Sequence, residues 1–237
     1  MVMKAQVLHP WQVTTHEAIA IQKRFRSQVI TENTLGEMRL IAGADIATSQ
    51  DSPKMYAGVV VLSYPALEVV EERGLEDEVT FPYIPGLLAF REGPLLVKVF
   101  EQLTTDPDVI VFDAQGLAHP RGMGIATHMG LVFDKPTIGC AKSLLFGRYQ
   151  EPDHEKGAWA ELRDPQGHLV GAVLRSKPKT TPIFVSIGHR VDLPAAIRIL
   201  IECTRGVRIP EPTRLAHTFV TQLRHGSGRQ GDQSRRR

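Results

Sequence analysis

Apolar residues along the chain form two kinds of pattern. Short continuous or alternating runs are typical of strands, and longer segments with three- and four-residue spacing are typical of amphipathic helices. The first pattern predicts strands at residues 40–47, 56–64, 67–75, 109–112, 137–141, 159–162, 169–175 and 183–187. The second predicts helices at residues 15–30, 94–103, 122–133, 194–204 and 212–223, with helical material resuming at residue 87.

The order of these elements predicts one mixed sheet. Short connections between the first three strands favour an antiparallel meander. The strands at 109–112 and 137–141 enclose a helix and form a right-handed β-α-β unit. Three antiparallel strands followed by parallel strands, flanked by helices, resemble the α/β ribonuclease H-like fold. We expect a single domain over residues 1–224 and a disordered basic tail over residues 225–237, where Gly, Ser, Gln and Arg dominate.

Composition narrows the class of protein. Of the 237 residues, 42% are hydrophobic and 23% are charged, which suits one substantial core. The sequence has no apolar run near the ~20 residues that a membrane span requires, and residues 1–10 lack a signal-peptide pattern. Its two cysteines, Cys140 and Cys203, are too few for a disulfide framework. We expect a cytoplasmic protein without a membrane partner, and the sequence demands no more than a monomer.

The formal net charge of +2 originates at the end of the chain. Residues 224–237 contain five arginines and one aspartate, which contribute +4, so residues 1–223 sum to −2. A near-neutral body does not by itself indicate a nucleic-acid partner. Any surface for nucleic acid must therefore be local.

Three acidic residues are candidates for metal binding. Asp45 interrupts the apolar strand 40–47, where a buried charge needs a partner or a metal ion. Asp113 follows the apolar run 109–112, at the strand end where open α/β sheets bind ligands. Glu92 follows a proline-rich loop. If the first and fourth strands are neighbours, these carboxylates could hold Mg²⁺ or Mn²⁺; solvated acids at strand ends are the alternative.

Short motifs, in the order in which they occur, resemble endonuclease V. They are Ala-Gly-Ala-Asp-Ile-Ala (42–47), Phe-Pro-Tyr-Ile-Pro-Gly (81–86), Phe-Arg-Glu (90–92), Gly-Leu-Ala-His-Pro-Arg (116–121), Gly-Cys-Ala-Lys-Ser (139–143), Val-Ser-Ile-Gly-His-Arg (185–190) and Thr-Arg-Leu-Ala-His (213–217). Each motif alone is weak, but their joint order is specific. The resemblance covers about residues 15–224. It implies a metal-dependent endonuclease that uses Mg²⁺, with Mn²⁺ as a substitute.

By this resemblance, Asp45, Glu92 and Asp113 are the metal-binding catalytic acids. Lys142 and His217 carry over as further catalytic residues. Lys142 could hold the scissile phosphate or assist water activation, and His217 could position the attacking water or the phosphate. Judged without the family, Lys142 is an ordinary solvated lysine, and His217 is a boundary residue of an amphipathic helix.

The loop around Tyr83 is the candidate DNA-contacting element. Pro82 and Pro85 stiffen this loop, and the resemblance implies that Tyr83, flanked by Pro82 and Ile84, is a wedge that enters the duplex at the lesion. Such insertion is easiest where base pairing is already poor. A tyrosine capping the core at a proline turn is the alternative. The remaining candidates for DNA and lesion binding are Leu88, His119, Arg121 and Gly139, in or near the pocket for the base.

Three positions depart from the family pattern. Ala114 stands where glycine usually follows the third acid, and it adds a methyl group beside the expected pocket. Gly122 stands where a second basic residue is common, so we expect a modestly weaker phosphate contact. Ala89 replaces a frequent serine. The three metal-binding acids are intact.

The substrate implied by the resemblance is DNA that contains deoxyinosine or another deaminated or mismatched base. Cleavage at the second phosphodiester bond 3′ to deoxyinosine would leave 3′-hydroxyl and 5′-phosphate ends, in DNA repair. Two alternatives keep the enzyme class: a ribonuclease for inosine-containing RNA, and a nuclease for branched DNA. A third is a non-catalytic nucleic-acid binder on the same scaffold.

Overall fold

A computed structural model of the chain describes residues 3–49 and 52–233, without the side chains of residues 227–233. Its strands are β1 (Leu40–Thr48), β2 (Lys54–Ser63), β3 (Val69–Glu78), β4 (Val109–Phe112), β5 (Thr137–Ala141), β6 (Trp159–Arg163), β7 (Leu169–Leu174) and β8 (Ile183–His189). Its helices are α1 (Thr15–Phe25), α2 (Leu88–Phe100), α3 (Ile125–Phe133), α4 (Leu193–Glu202) and α5 (Glu211–Gln233).

All the strands of this part of the chain form one sheet in the order β3-β2-β1-β4-β5-β8-β7-β6. The first three strands are antiparallel, and β4 and β5 continue the sheet parallel to β1. The predicted mixed sheet is therefore confirmed. The last three strands extend it, each antiparallel to its neighbour.

Both faces of the sheet are covered by apolar side chains. In β2, Val60 and Leu62 join the core cluster that includes residues of α4 and α5, whereas Val59 and Val61 join the cluster under α2 and α3. Successive strand residues point to opposite faces, so a continuous apolar run requires cover on both. Helices α4 and α5 cover one face of the sheet, and α2 and α3 cover the other.

Helix α5 approaches the sheet closely because three strands present glycine beneath it. A Cβ at Gly43 would lie 1.9 Å from the carbonyl oxygen of Pro212, and one at Gly58 would lie 2.9 Å from the ring of Phe219. Gly74 pairs with Gly58 across β2 and β3 and extends the gap. Larger residues would push α5 and everything it carries away from β1.

The helices differ from the prediction in two places. We expected Pro94 in the first turn of a helix that ends near residue 103, but α2 begins at Leu88 and contains Pro94 in its interior. Proline there removes one backbone hydrogen bond, while burial of Leu95 and Leu96 against the sheet holds the helix in place. The first helix also ends earlier than predicted, at Phe25, followed by a 3-10 turn at Arg26–Gln28.

The last helix is longer than predicted. We expected it to end at residue 223, but its backbone continues to Gln233, because extending an existing helix needs no new nucleation. The prediction of a disordered tail falls partly on residues 234–237, which lie outside the described residues. Among the helices that are described, none combines the length and apolar character needed to cross a membrane.

Candidate active site

The two aspartates meet at the carboxyl ends of neighbouring parallel strands. Ala44 pairs with Phe112 across β1 and β4, and the amide of Asp113 donates to the carbonyl of Ala44 at 3.2 Å. This register places Asp45 beside Asp113, with only 11% and 10% of their side chains exposed. The structure brings the two acids together as their positions in the strands led us to expect.

Glu92 reaches the same place from α2. Together with Asp45 and Asp113 it lines a small cavity of about 20 Å³, whose remaining walls are mostly apolar. A space of this size holds about one water molecule. The three acids predicted from separate parts of the chain therefore share one cavity.

The electrostatics of this cavity favour a cation. Burial, and after it the negative charge of Asp113, raises the pKa of Asp45. Burial and the charge of Asp45 raise the pKa of Glu92 to about 8. Carboxylates that are buried together disfavour one another's charged form, and a divalent ion coordinated by oxygen removes that penalty. The donor set suits hard ions such as Mg²⁺ or Mn²⁺.

His217 lies on α5 at the edge of this cavity. Its Nδ1 lies 2.7 Å from Oδ2 of Asp45, although 58% of its side chain is exposed. Ala216 and Val220 on the same helix are fully buried against the sheet, so the helix is anchored beside β1. One ligand atom from each of Asp45, Asp113 and His217 lies within 4.8 Å of the others.

Lys142 completes the group. It follows β5 directly, and its Nζ contacts Oδ2 of Asp113, with 40% of the lysine side chain exposed. An ammonium group in this position can meet a phosphate oxygen and the carboxylate together. The lysine is thus paired within the site and also open to solvent.

The loop at residues 81–86 stands beside this group. Tyr83 is 71% exposed, so the alternative of a tyrosine that caps the core does not hold. Behind the loop lies a second cavity of about 100 Å³, whose lining includes Tyr83, Ile84, Leu88, Ala114 and His119. Ala114 lines both cavities, so they adjoin. Pro82 lies in the same loop but is not among the lining residues.

Three side chains hold this loop through a single carbonyl group. The carbonyl oxygen of Gly86 accepts hydrogen bonds from Nε2 of Gln22 at 3.0 Å, Nε2 of His119 at 3.0 Å and Nη2 of Arg121 at 2.7 Å. Nδ1 of His119 accepts from the amides of Arg121 and Met123, so its proton resides on Nε2. Burial lowers the pKa of His119 to about 4, with a smaller contribution from Arg121. The ring is therefore neutral at pH 7.

Gln22 is the residue that sequence reasoning missed. It is fully buried on α1, where it also donates to the carbonyl of Met123 and accepts from Nε of Arg121 at 2.5 Å. Its signal was a polar residue on the apolar face of a helix, between Ala18 and Phe25. The structure places Arg121, expected at the DNA, in contact with Gly86 and Gln22. We call Gln22, His119 and Arg121 the Gly86 clamp.

Gly139 does not line the cavity where it was expected. It lies within β5, and a Cβ there would lie 2.6 Å from the amide nitrogen of Gly116 and 2.8 Å from the carbonyl oxygen of Ala114. Glycine at this position lets the segment 114–116 lie directly on the sheet. Its effect on the cavity is therefore indirect, through the position of Ala114.

Position 122 lacks a basic side chain, but Arg26, from another segment of the chain, lies at this position. Gly122 has a φ of +61°, and a Cβ there would lie 2.3 Å from Nε of Arg26. The guanidinium of Arg26 therefore occupies the position above this glycine. Arg26 therefore places a positive charge beside residue 122, where the sequence comparison led us to expect a weaker phosphate contact.

Known proteins match this chain over most of its length. The family model of endonuclease V matches residues 23–218. Endonuclease V of Dehalococcoides mccartyi strain CBDB1 is 46% identical over 223 residues, which cover 94% of this chain and 100% of that protein. The crystal structure of endonuclease V from Bacillus subtilis has a TM-score of 0.91 at 29% identity, covering 96% and 100% of the two chains.

A third relative is bound to nucleic acid. It is endonuclease V of Ciona intestinalis in complex with a 24mer DNA that contains an inosine followed by a ribo-adenosine. Its TM-score is 0.76 at 26% identity, with 89% of this chain and 98% of that chain covered. With the family model and the close relatives in agreement, the chain belongs to the endonuclease V family and is a nuclease.

Proposed function

We propose that this protein uses a divalent metal ion to nick DNA at the second phosphodiester bond 3′ to deoxyinosine, in DNA repair. The ion is Mg²⁺, with Mn²⁺ as a substitute, and the products carry 3′-hydroxyl and 5′-phosphate ends. The observation that carries the proposal is one cavity shared by Asp45, Glu92 and Asp113, next to a second cavity behind Tyr83. Asp45, Glu92 and Asp113 would hold the ion, which would supply activation of water and neutralisation of charge on the leaving oxygen.

The second cavity is proposed to hold the deaminated base. Because Ala114 separates the two cavities, a base turned out of the duplex would lie close to the backbone that is cut. Tyr83 would enter the gap left in the duplex, which is least costly where pairing is already weak. The relative from Ciona intestinalis, bound to DNA that contains inosine, supports this class of substrate.

His217 and Lys142 are assigned to the proton and the phosphate. Nδ1 of His217 lies at hydrogen-bond distance from the carboxylate of Asp45, so Nε2 is the ring nitrogen that can meet a water molecule. We assign His217 to orient the attacking water and take its proton. We assign Lys142 to hold the scissile phosphate, because its ammonium group reaches Asp113 from the solvent side.

The direct test is cleavage of an end-labelled duplex with one deoxyinosine, with Mg²⁺ and with EDTA. We expect one nick at the second bond on the 3′ side, only in the presence of the metal ion. Duplexes with other deaminated or mismatched bases would define the breadth of recognition. A nick elsewhere, or activity that survives EDTA, would contradict the proposal.

Inosine-containing RNA is a second candidate substrate, because the nucleic acid in the Ciona intestinalis complex has a ribonucleotide directly after the inosine. Single-stranded RNA and DNA of one sequence, each with one inosine, should be compared under the same conditions. A four-way junction without inosine tests the branched-DNA alternative. Preferred cleavage of the RNA or the junction would replace deoxyinosine DNA as the substrate.

A further inference from the structure

A third and larger cavity begins at Lys142 and has no role in the site described above. It is an open groove of about 690 Å³ whose lining includes Lys142, Tyr149, His154, Lys179 and Phe184. We call it the Lys142 groove. The segment 142–149 separates it from the cavity for the base, since Leu145 lines that cavity and Tyr149 lines the groove. The groove therefore starts at the active site and leads away from the base.

The charges in the groove favour a polyanion. Its one acidic lining residue, Glu151, is paired with Arg175 at 2.7 Å. The guanidinium of Arg175 is buried and also donates to the carbonyls of Pro152, Asp153 and Thr180. Arg175 thus connects the segment 151–153 with Thr180 and neutralises the charge of Glu151. Lys142 is exposed although it contacts Asp113, and the exposed Lys179 has no ion-pair partner among the described residues.

Tyr149 offers a surface on which a base can stack. Its ring packs edge-to-face with Phe184, with 5.5 Å between the ring centroids and 77° between the planes. Phe184 is buried, whereas Tyr149 remains 37% exposed. An aromatic ring fixed on one side and open on the other, beside lysines, is the usual platform for single-stranded nucleic acid.

We infer that the Lys142 groove binds the nicked strand beyond the scissile phosphate, on its 3′ side, with a base on Tyr149 and a phosphate at Lys179. A strand whose base occupies the cavity behind Tyr83 and whose scissile phosphate lies at Lys142 has this groove directly ahead of it on the 3′ side. The inference rests on the proposed function, because that function sets the direction of the strand.

The test is binding in EDTA, measured by fluorescence anisotropy, to deoxyinosine duplexes with a long 5′ flank, in which the inosine strand continues as a single-stranded 3′ flank of increasing length. We expect the parent protein to bind more tightly as the 3′ flank extends through the groove. Tyr149→Ala should lose about tenfold in affinity on the longest flank and nothing on the shortest. Lys179→Ala should flatten the plot of log affinity against log salt by about one unit of slope.

Matched controls exist in the same part of the chain. Trp159→Ala removes an aromatic residue that is 48% exposed and does not line the groove. Lys177→Ala removes an exposed lysine that lies two residues before Lys179 and does not line the groove either. Both should behave like the parent at every flank length. Tyr149→Phe should retain the effect of flank length. Tyr149→Leu keeps an apolar contact with Phe184 but should lose the effect of flank length. The comparison of the two variants therefore separates loss of stacking from loss of folding.

The groove and the proposed function fail in different ways. If the parent nicks deoxyinosine DNA but Tyr149→Ala matches Trp159→Ala at every 3′ flank length, the groove assignment is wrong. It is also wrong if the loss follows the length of the 5′ flank in a reversed series. If the parent does not nick this DNA, the proposed function fails, and the same binding series still decides whether the groove holds a strand.

Discussion

The two cavities that meet at Ala114 are stabilised in opposite ways. The acid cavity gathers Asp45, Glu92 and Asp113 in a small space, and their shared burial and charge raise the pKa values of Asp45 and Glu92. The cavity behind Tyr83 rests on the Gly86 clamp, in which a neutral histidine, an amide and a guanidinium all donate to one carbonyl.

This difference matches two kinds of ligand. Like charges that are buried together destabilise the folded protein when no cation is bound. The three acids therefore favour binding of a cation at the expense of stability. A satisfied polar network in a buried place makes its segment rigid instead. The first arrangement suits the proposed metal ion, and the second suits a loop that is proposed to meet a base pair in one conformation.

The largest expected effect comes from removing charge from the acid cavity. Asp113→Asn should lower the rate of nicking about a thousandfold. Without metal ion, its free energy of unfolding should stay near that of the parent, because relief of the repulsion with Asp45 offsets the lost ion pair with Lys142. Cleavage assays and urea unfolding in EDTA measure the two quantities.

Asp77→Asn is the matched control for Asp113→Asn, since Asp77 pairs with Lys98 on the surface. It should leave both nicking and stability near the parent values. Near-parental nicking by Asp113→Asn would remove this acid from the active site. Clear destabilisation in EDTA would show that the acid cavity is a satisfied network like the Gly86 clamp.

Tyr83→Ala tests what the rigid loop presents. Loss of the ring should weaken binding to a deoxyinosine duplex by about 2 kcal/mol, roughly thirtyfold, and slow single-turnover cleavage of bound DNA much less. Because Tyr83 is mostly exposed, stability should change by less than about 0.5 kcal/mol. Equal affinity of variant and parent for the damaged duplex would exclude the wedge.

The two regions also differ in how far the sequence predicts them. Asp45 and Asp113 stand out because each interrupts or ends an apolar strand, and the order of elements makes those strands neighbours. The contact between His217 and Asp45 depends on the glycines under α5, a packing relation that no local pattern encodes. The Gly86 clamp converges on a backbone carbonyl, which leaves no motif, so Gln22 was missed.

The clamp should lose stability on the acid side of neutrality. Its histidine, His119, has a pKa lowered from 6.5 to about 4, so the unfolded chain binds a proton more readily. The stability it contributes is complete above pH 6.5 and is lost as the pH falls towards 4, by about 2 kcal/mol at pH 5. His119→Asn should therefore show a smaller loss of stability between pH 7 and pH 5.

Thermal unfolding at the two pH values measures this loss. His16→Asn, at an exposed histidine on α1, is the control and should keep the parental pH dependence. The buried His128, whose pKa burial lowers to about 3, contributes in every variant. If His119→Asn and the parent lose equal stability, His119 is not the neutral member of the clamp.

A smaller effect is expected from the buried amide of the clamp. Gln22→Leu leaves Nε of Arg121 and the carbonyl of Met123 without that partner, at a cost of about 1 kcal/mol in stability. The loop then loses part of its rigidity, so affinity for the deoxyinosine duplex should fall several-fold while affinity for undamaged DNA stays constant. Gln28→Leu, at an exposed glutamine, should change neither, and a uniform loss on both DNAs would argue against the clamp.

The smallest effect should come from Ala114, one of the residues that line both cavities. Ala114→Gly removes one methyl group from the wall between them, and a single methylene in a pocket is worth about 1 kcal/mol in discrimination. Because Gly139 already lets this segment lie on the sheet, the backbone should not move, and the base cavity should widen. We expect affinities for different damaged bases to change relative to one another by about fivefold, with the metal dependence of nicking unaltered. If instead the Mg²⁺ concentration for half-maximal nicking changes and the base preference does not, the methyl group of Ala114 belongs functionally to the acid cavity.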